Sequence, residues 1–278
     1  MDTCPGITED TLDLPGQSVF FRRLDGESNE RPLLLLHGAG VAGELTWGPM
    51  LRWLKPRSSI LIPDLRGAGE THDPDGAEQR FTATEVVDDI VALLGDQSID
   101  QVDVAGYSFG GLMAMLLKQR LGARIGYQTL LEPGLLERAD LHEMRDARSG
   151  YQQAANAIRG GEPAAGIRQF LDNIAPHRSR TPRTEELITA RLGRRPLGFA
   201  NALDCVTDAI MTLDRDRLLD AQDNVTSLVG GKSPETLKSY HHWLAAHYNQ
   251  WDTLEISGTD HSLPFQKPRR IAAIIDRQ

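Results

Sequence analysis

The stretch QVDVAGYSFGG, residues 101–111, is the part of the chain that most clearly indicates its fold. Its valine-containing first half predicts a β-strand, and the residues from Phe109 onward predict a helix. A serine at the sharp bend between such elements projects its hydroxyl above the sheet. The bend crowds the backbone, so small residues are needed two positions before and after it, and Gly106 and Gly110 meet that need. Ser108 is therefore the predicted nucleophile.

Short apolar runs elsewhere predict further strands of the same sheet. They occupy residues 32–36, 60–62, 127–131, 225–229 and 253–256. Continuous apolar character is typical of strands buried on both faces, as in parallel sheets. Helical patterns lie between the early strands, over residues 44–54 and from the capping box at residues 82–85. This alternation predicts an α/β fold whose mostly parallel sheet has right-handed crossovers and flanking helices.

The alternation stops between residues 134 and 223, where only helical patterns occur. One of them, over residues 182–192, has Thr181 as its N-cap and Pro182 at its first position. We therefore expect a core formed by residues 1–133 and 224–278 and a helical cap inserted at 134–223. Some of the cap's apolar side chains are expected to cover a pocket above the nucleophile. The candidates are Met144, Ile158, Phe170, Leu171, Ile188, Leu192, Phe199, Met211 and Leu213.

Composition narrows the classes of function. The net charge of −9 argues against a nucleic-acid-binding surface, and the basic group Arg191, Arg194 and Arg195 is predicted to end a solvated helix. Two cysteines, Cys4 and Cys205, are too few for a disulfide framework and form no metal-binding spacing. No apolar run is long enough to span a membrane, and the N-terminus does not resemble a secretory signal. A cytoplasmic location is the expectation.

Three motifs in order, HGAG at 37–40, DLRG at 64–67 and GYSFGG at 106–111, resemble the α/β-hydrolase superfamily. The resemblance extends from about residue 17 to the end. It implies an α/β-hydrolase fold, a serine nucleophile and a histidine base late in the chain, with no metal or organic cofactor. His261 fits that base, because it lies in the loop after the last predicted strand.

The other histidines receive weaker assignments. His37 is predicted to be a structural hydrogen-bonding residue, and His142 and His177 belong to the cap, where contact with substrate is possible. The remaining ones are His72, for which no role is predicted, and His241, His242 and His247, which are predicted to be surface or packing residues.

The acid of the expected triad departs from the most common family pattern. Most members have an aspartate after the strand that precedes the penultimate helix, and this chain has Ser233 there, in GGKSP at 230–234. We predict that Ser233 caps the following helix. Glu132 follows the strand at 127–131 and lies at the same carboxyl edge as Ser108. Some members, including lactone-cleaving enzymes, are similar, so Glu132 is the predicted acid. The alternatives are Asp204, Asp208 and Asp214 in the cap, Asp260 beside His261, or no acid at all.

A tetrahedral intermediate requires two N–H donors for its oxyanion. The resemblance implies Phe109, the residue after the nucleophile, and Ala39, just after the earlier His-Gly. The predicted activity is hydrolysis of a small, mainly apolar carboxylic ester or lactone through an acyl-enzyme on Ser108. A carbon–carbon bond hydrolase and an acyltransferase would use the same residues. A non-catalytic ligand-binding member of the fold is the third alternative, favoured only by the missing later aspartate.

Overall fold

A computed structural model describes residues 6–277. Cys4, which enters the disulfide prediction, lies outside the described residues. Within them, eight strands form one sheet in the order β1-β2-β4-β3-β5-β6-β7-β8. The strands are β1 (Ile7–Leu14), β2 (Gln17–Asp25), β3 (Leu33–Leu36), β4 (Ser59–Pro63), β5 (Val102–Tyr107), β6 (Ile125–Leu131), β7 (Val225–Gly230) and β8 (Trp251–Ile256).

The predicted parallel sheet is confirmed for β3 to β8, whose neighbouring strands all pair in parallel. The sequence did not predict the hairpin β1–β2, which extends one edge of the sheet in antiparallel fashion. Polar and charged side chains occupy much of β1, and none of its residues is fully buried. An exposed edge strand therefore gives no continuous apolar run for sequence reasoning to detect.

Helices follow most of the parallel strands. They are α1 (Gly43–Leu51), α2 (Ala83–Asp96), α3 (Phe109–Leu121), α4 (Leu141–Arg159), α5 (Pro163–Ile174), α6 (Pro182–Leu192), α7 (Pro196–Thr212), α8 (Arg215–Asp220), α9 (Glu235–His247), α10 (Leu263–Gln266) and α11 (Pro268–Ile275), with a 3-10 turn at Gly122–Arg124. The capping box at Thr82 and Glu85 and the Thr181 cap of α6 are confirmed. No helix in the described range is long and apolar enough to cross a membrane.

Strand β3 shows why the sheet is buried on both faces. Leu34 and Leu36 belong to one buried apolar cluster, whereas Leu33 and Leu35 belong to a second. Successive side chains of a strand point to opposite faces, so each cluster lies on its own side of the sheet. Helices thus cover both faces of the sheet. The carboxyl ends of its strands are not covered by these helices, and ligands of α/β folds bind at such ends.

Residues 134–223, all of them described, contain five helices, α4 to α8, and no strand. These helices lie in the chain between β6 and β7, which are adjacent in the sheet. Because the insertion leaves the pairing of the two strands intact, it has the position expected of a cap. The division of the chain into core and cap at these residues remains a prediction.

Candidate active site

Ser108 occupies the bend between β5 and α3 with a φ of 51° and a ψ of −110°. Such a backbone conformation is strained for a residue with a side chain, and strain of this kind is concentrated at functional sites. The flanking glycines are required by packing. A Cβ at Gly106 would lie 2.5 Å from the Gly110 carbonyl oxygen, and one at Gly110 would lie 2.3 Å from the Leu36 carbonyl oxygen.

Sheet register places Glu132 beside this bend. Tyr107 and Leu131 are partners in the parallel pairing of β5 with β6, so the residues that follow them leave the sheet at the same level. The Ser108 N–H donates to the Leu131 carbonyl oxygen at 2.9 Å, which fixes the bend against the neighbouring strand. Two side chains 24 positions apart in sequence thus share one rim.

A chain of hydrogen bonds joins the three predicted triad residues. His261 Nε2 lies 3.1 Å from Ser108 Oγ, and His261 Nδ1 lies 2.8 Å from Glu132 Oε2. A carboxylate accepts hydrogen bonds, so Nδ1 carries the proton, and Nε2 is left to accept from the serine hydroxyl. This is the relative placement of nucleophile, base and acid that activates a serine.

Glu132 is 2% exposed, and its backbone φ is 40°. Its other oxygen, Oε1, accepts from the Gly230 N–H at 2.7 Å and from Ser233 Oγ at 2.5 Å. Burial alone would raise the pKa of this carboxyl, but the bonds from His261, Ser233 and Gly230 outweigh burial and hold the pKa below its ordinary value. Glu132 is therefore ionised at neutral pH.

The prediction that Ser233 caps the next helix is wrong. Helix α9 starts at Glu235 with Pro234 in the cap position, and no side chain caps it. The Ser233 hydroxyl instead donates to Glu132, the residue that follows β6. Local sequence gave no sign of this partner, because the two residues are 101 positions apart. Ser233 is thus a supporting residue of the site that sequence reasoning missed.

The two predicted oxyanion donors lie near Ser108 in different ways. Ala39 lines the same cavity as Ser108, whereas the Phe109 side chain is buried in the core and only its backbone can serve. The N–H groups of a helix's first turn have no acceptor in their own helix. The Gly110 N–H is already used, because it donates to the His37 carbonyl oxygen at 3.0 Å. Assignment of both donors remains a prediction.

His37 is confirmed as a structural residue. It is fully buried, its Nε2 accepts from the Leu65 N–H at 2.7 Å, and its Nδ1 donates to the Gly38 carbonyl oxygen at 2.8 Å. These partners fix one neutral tautomer, and burial lowers the pKa of the ring accordingly. The residue thus holds the 37–40 loop against the segment after β4.

Apart from Asp260, the alternative titratable residues do not line the cavity above Ser108. Neither His142 nor His177 lines the cavity, and both are exposed. The acidic alternatives have different surroundings. Asp204 pairs with Arg80 and Arg159, and Asp208 is exposed. Asp214 caps α8, and Asp260 accepts hydrogen bonds from Ser262 and Gln266. Across residues 6–277, no group of three or more His, Cys, Asp or Glu side chains is arranged to hold a metal ion.

A cavity of about 200 Å³ opens above Ser108 and His261. Four of the nine predicted cap residues line it: Phe170, Leu171, Ile188 and Leu192. Met144 is instead buried in the core, and Met211 is 50% exposed, so neither covers the site. Most of the lining is apolar, and the Tyr107 ring packs against the His261 imidazole with their centroids 5.2 Å apart.

The predicted solvated helix end at Arg191, Arg194 and Arg195 is only partly right. Arg194 is exposed. Arg195 instead bonds to Glu78 and to carbonyl oxygens of the segment after β4, and Arg191 lines the cavity. The three arginines therefore lie in three different environments, and their spacing in the sequence did not predict this.

An eight-stranded, mostly parallel sheet with flanking helices and a serine at the strand-to-helix bend is the architecture of α/β hydrolases. The profile of the Alpha/beta hydrolase family matches residues 33–274, and the chain belongs to this family.

Relatives and solved structures agree with this assignment. The chain is 34% identical over 104 residues to a pimeloyl-[acyl-carrier protein] methyl ester esterase of Legionella pneumophila, covering 37% of this chain and 38% of that protein. It is 28% identical over 261 residues to Lipase LipV of Mycobacterium tuberculosis, covering 90% and 94%. The enol-lactonase of Burkholderia xenovorans shares the fold with a TM-score of 0.73 at 19% identity, covering 96% and 98%. These similarities support a hydrolase activity.

Proposed function

We propose that this protein is a serine hydrolase that cleaves a carboxylic ester or lactone through an acyl-enzyme on Ser108. The observation that carries the proposal is the unbroken hydrogen-bond chain from Ser108 through His261 to a buried, ionised Glu132. Such a chain makes the serine hydroxyl nucleophilic at neutral pH. The same residues line, or directly support, a mainly apolar cavity that accepts a small substrate.

In the first half-reaction, Ser108 Oγ attacks the substrate carbonyl carbon while His261 Nε2 takes the hydroxyl proton. Glu132 stabilises the imidazolium through Nδ1, and the N–H groups of Ala39 and Phe109 bind the oxyanion. His261 then gives its proton to the leaving alkoxide, which departs as the alcohol. In the second half-reaction, water loses a proton to His261, attacks the acyl carbon, and releases the carboxylic acid as Ser108 regains its proton.

Similarity to a methyl ester esterase and to a lipase supports an ester as the substrate. The matched segment spans only about two-fifths of the esterase's own length, so the identity of its substrate is not carried over. We further propose that residues 134–223 act as the cap, because helices α5 and α6 supply much of the cavity wall. The substrate that fits such a wall is small and mainly apolar.

The test compares the native protein with Ser108→Ala on a panel of p-nitrophenyl esters, a γ-lactone and a vinylogous diketone. We expect turnover of an ester or the lactone, and a loss of at least about a thousandfold in kcat for the variant. Hydrolysis of the diketone alone would show a carbon–carbon bond hydrolase instead. Acyl transfer to added alcohol faster than hydrolysis would show an acyltransferase. Binding of the substrates without turnover would contradict the proposal in favour of a ligand-binding protein.

A further inference from the structure

Two arginines line the cavity, and they differ in whether a carboxylate pairs with them. Arg178 is largely buried and pairs with Asp172 at 2.8 Å and with Glu185 at 2.8 Å. These carboxylates neutralise its charge. Arg191 contacts no carboxylate anywhere in the described part of the chain, and its guanidinium lies 5.2 Å from the centroid of the Phe265 ring. Among the described residues of the cavity wall, Arg191 is therefore the arginine without a carboxylate partner.

The face of α6 explains how Arg191 reaches the cavity. The lining residues of this helix are Thr184, Leu187, Ile188, Arg191 and Leu192. Their spacing of three or four residues defines one side of a helix. Arg191 thus occupies a position on the apolar, cavity-facing stripe, although it is only partly exposed there. An arginine at a helix C-terminus also interacts favourably with the helix dipole, but that benefit is equally available on the solvent face.

No carboxylate among the described residues of the cavity wall lies within ion-pair distance of this cation. Within residues 6–277, Asp260 is the one carboxylate that lines the cavity. Its Oδ1 accepts from the Ser262 N–H at 2.9 Å and from Gln266 Nε2 at 3.1 Å, so it is engaged within its own turn. The Phe265 ring, which packs against Tyr107 with a centroid separation of 6.1 Å, lies beneath the Arg191 guanidinium. Ring contacts therefore connect the cation to the wall beside His261.

We infer that Arg191 binds a carboxylate at the end of the substrate remote from the scissile bond, so that the preferred substrate is an apolar ester or lactone with a free acid group. The inference rests on the proposed function. A guanidinium pairs with a carboxylate through two parallel N–H donors, and the Arg191 guanidinium lies over the Phe265 ring. A single unmatched charge in a cavity of about 200 Å³ suits one carboxylate better than a dianionic phosphate.

The test measures kcat and KM for two matched ester series, the monomethyl esters of dicarboxylic acids from succinate to sebacate and the corresponding dimethyl esters. In the native protein, at least one monomethyl ester is expected to exceed its dimethyl counterpart in kcat/KM. Arg191→Gln should reduce that preference by about tenfold to a hundredfold, mainly through KM. Turnover of the dimethyl esters should change less than about threefold, and Arg191→Lys should retain part of the preference.

Arg194→Gln is the matched control, because it removes the same charge from an exposed position three residues later. Its preference should equal that of the native protein. An equal loss on both ester series in Arg191→Gln, or an unchanged preference, would overturn the inference while leaving the proposed function intact. Absence of turnover on every ester, together with no reaction of Ser108 with a fluorophosphonate, would instead overturn the proposed function.

Discussion

The rim of the sheet and helix α6 form two walls of one cavity, and they are constructed in opposite ways. At the rim, Glu132 is held by bonds of 2.5 to 2.8 Å from three residues in two other segments of the chain. On α6, the lining consists mainly of apolar side chains without directional partners, and Leu187 is 50% exposed. We therefore propose that the rim fixes the reacting groups and that the cap wall determines which substrate is admitted.

This contrast predicts that rim substitutions act on kcat and cap substitutions act on KM. The largest effect should follow His261→Gln, because the His261 ring is hydrogen-bonded to Ser108 Oγ and is the proposed acceptor of its proton. We expect kcat for an ester to fall by about 10⁴-fold. His177→Gln, an exposed cap histidine, should leave kcat unchanged, as measured by initial rates on the same ester. Comparable losses in the two variants would remove the distinction between rim and cap.

The second comparison concerns two buried acids, one in each region. Glu132→Gln keeps the shape of the side chain but removes the charge that stabilises the imidazolium, and we expect a loss of about a thousandfold or more in kcat. Asp204→Asn disrupts ion pairs with Arg80 and Arg159 and should lower the melting temperature with little change in kcat. A large loss of kcat in Asp204→Asn alone would assign the acid to the cap.

A smaller effect is expected from Ser233→Ala, which removes one hydrogen bond to Glu132. The kcat should fall by about tenfold. Because the Ser233 bond helps to lower the Glu132 pKa, its loss raises that pKa, and protonation then occurs at a higher pH. The acidic limb of the kcat profile should therefore move to higher pH, and Ser233→Thr should restore it. An unshifted kcat–pH profile would mean that the Ser233 hydroxyl does not affect the pKa of Glu132.

The smallest effect belongs to the cap wall. Ile188→Ala enlarges the cavity and should change kcat/KM by about three- to tenfold, with the preference moving toward longer acyl chains. Met211→Ala, a cap residue that does not line the cavity, serves as the control on the same acyl series. If both variants leave the chain-length preference unchanged, α6 does not select the substrate.

Sequence reasoning succeeded where the signal is local. Apolar runs predicted the six parallel strands, and the capping box at Thr82 predicted the start of α2. The same logic placed Ser108 and Glu132 at strand ends, which the sheet register brings together. Strand β1 was missed because exposed edge positions tolerate charged side chains.

What the sequence did not reveal depends on partners distant along the chain. Ser233 was predicted to cap a helix, yet its hydroxyl binds Glu132, and no local pattern encodes such a pair. Arg191 was predicted to be solvated, although the packing of α6 turns it toward the cavity. Both residues are polar groups whose roles follow from tertiary packing and not from propensity or periodicity.

The central claim concerns the relay from Glu132 through His261 to Ser108, and the rate of phosphonylation by a fluorophosphonate tests it most directly. Intact-mass and peptide spectrometry should show one adduct per chain, on the peptide that contains Ser108. The rate constant should fall by orders of magnitude in Glu132→Gln and remain near the native value in Asp204→Asn. An adduct on another residue, or equal rates in native protein and Glu132→Gln, would contradict the account.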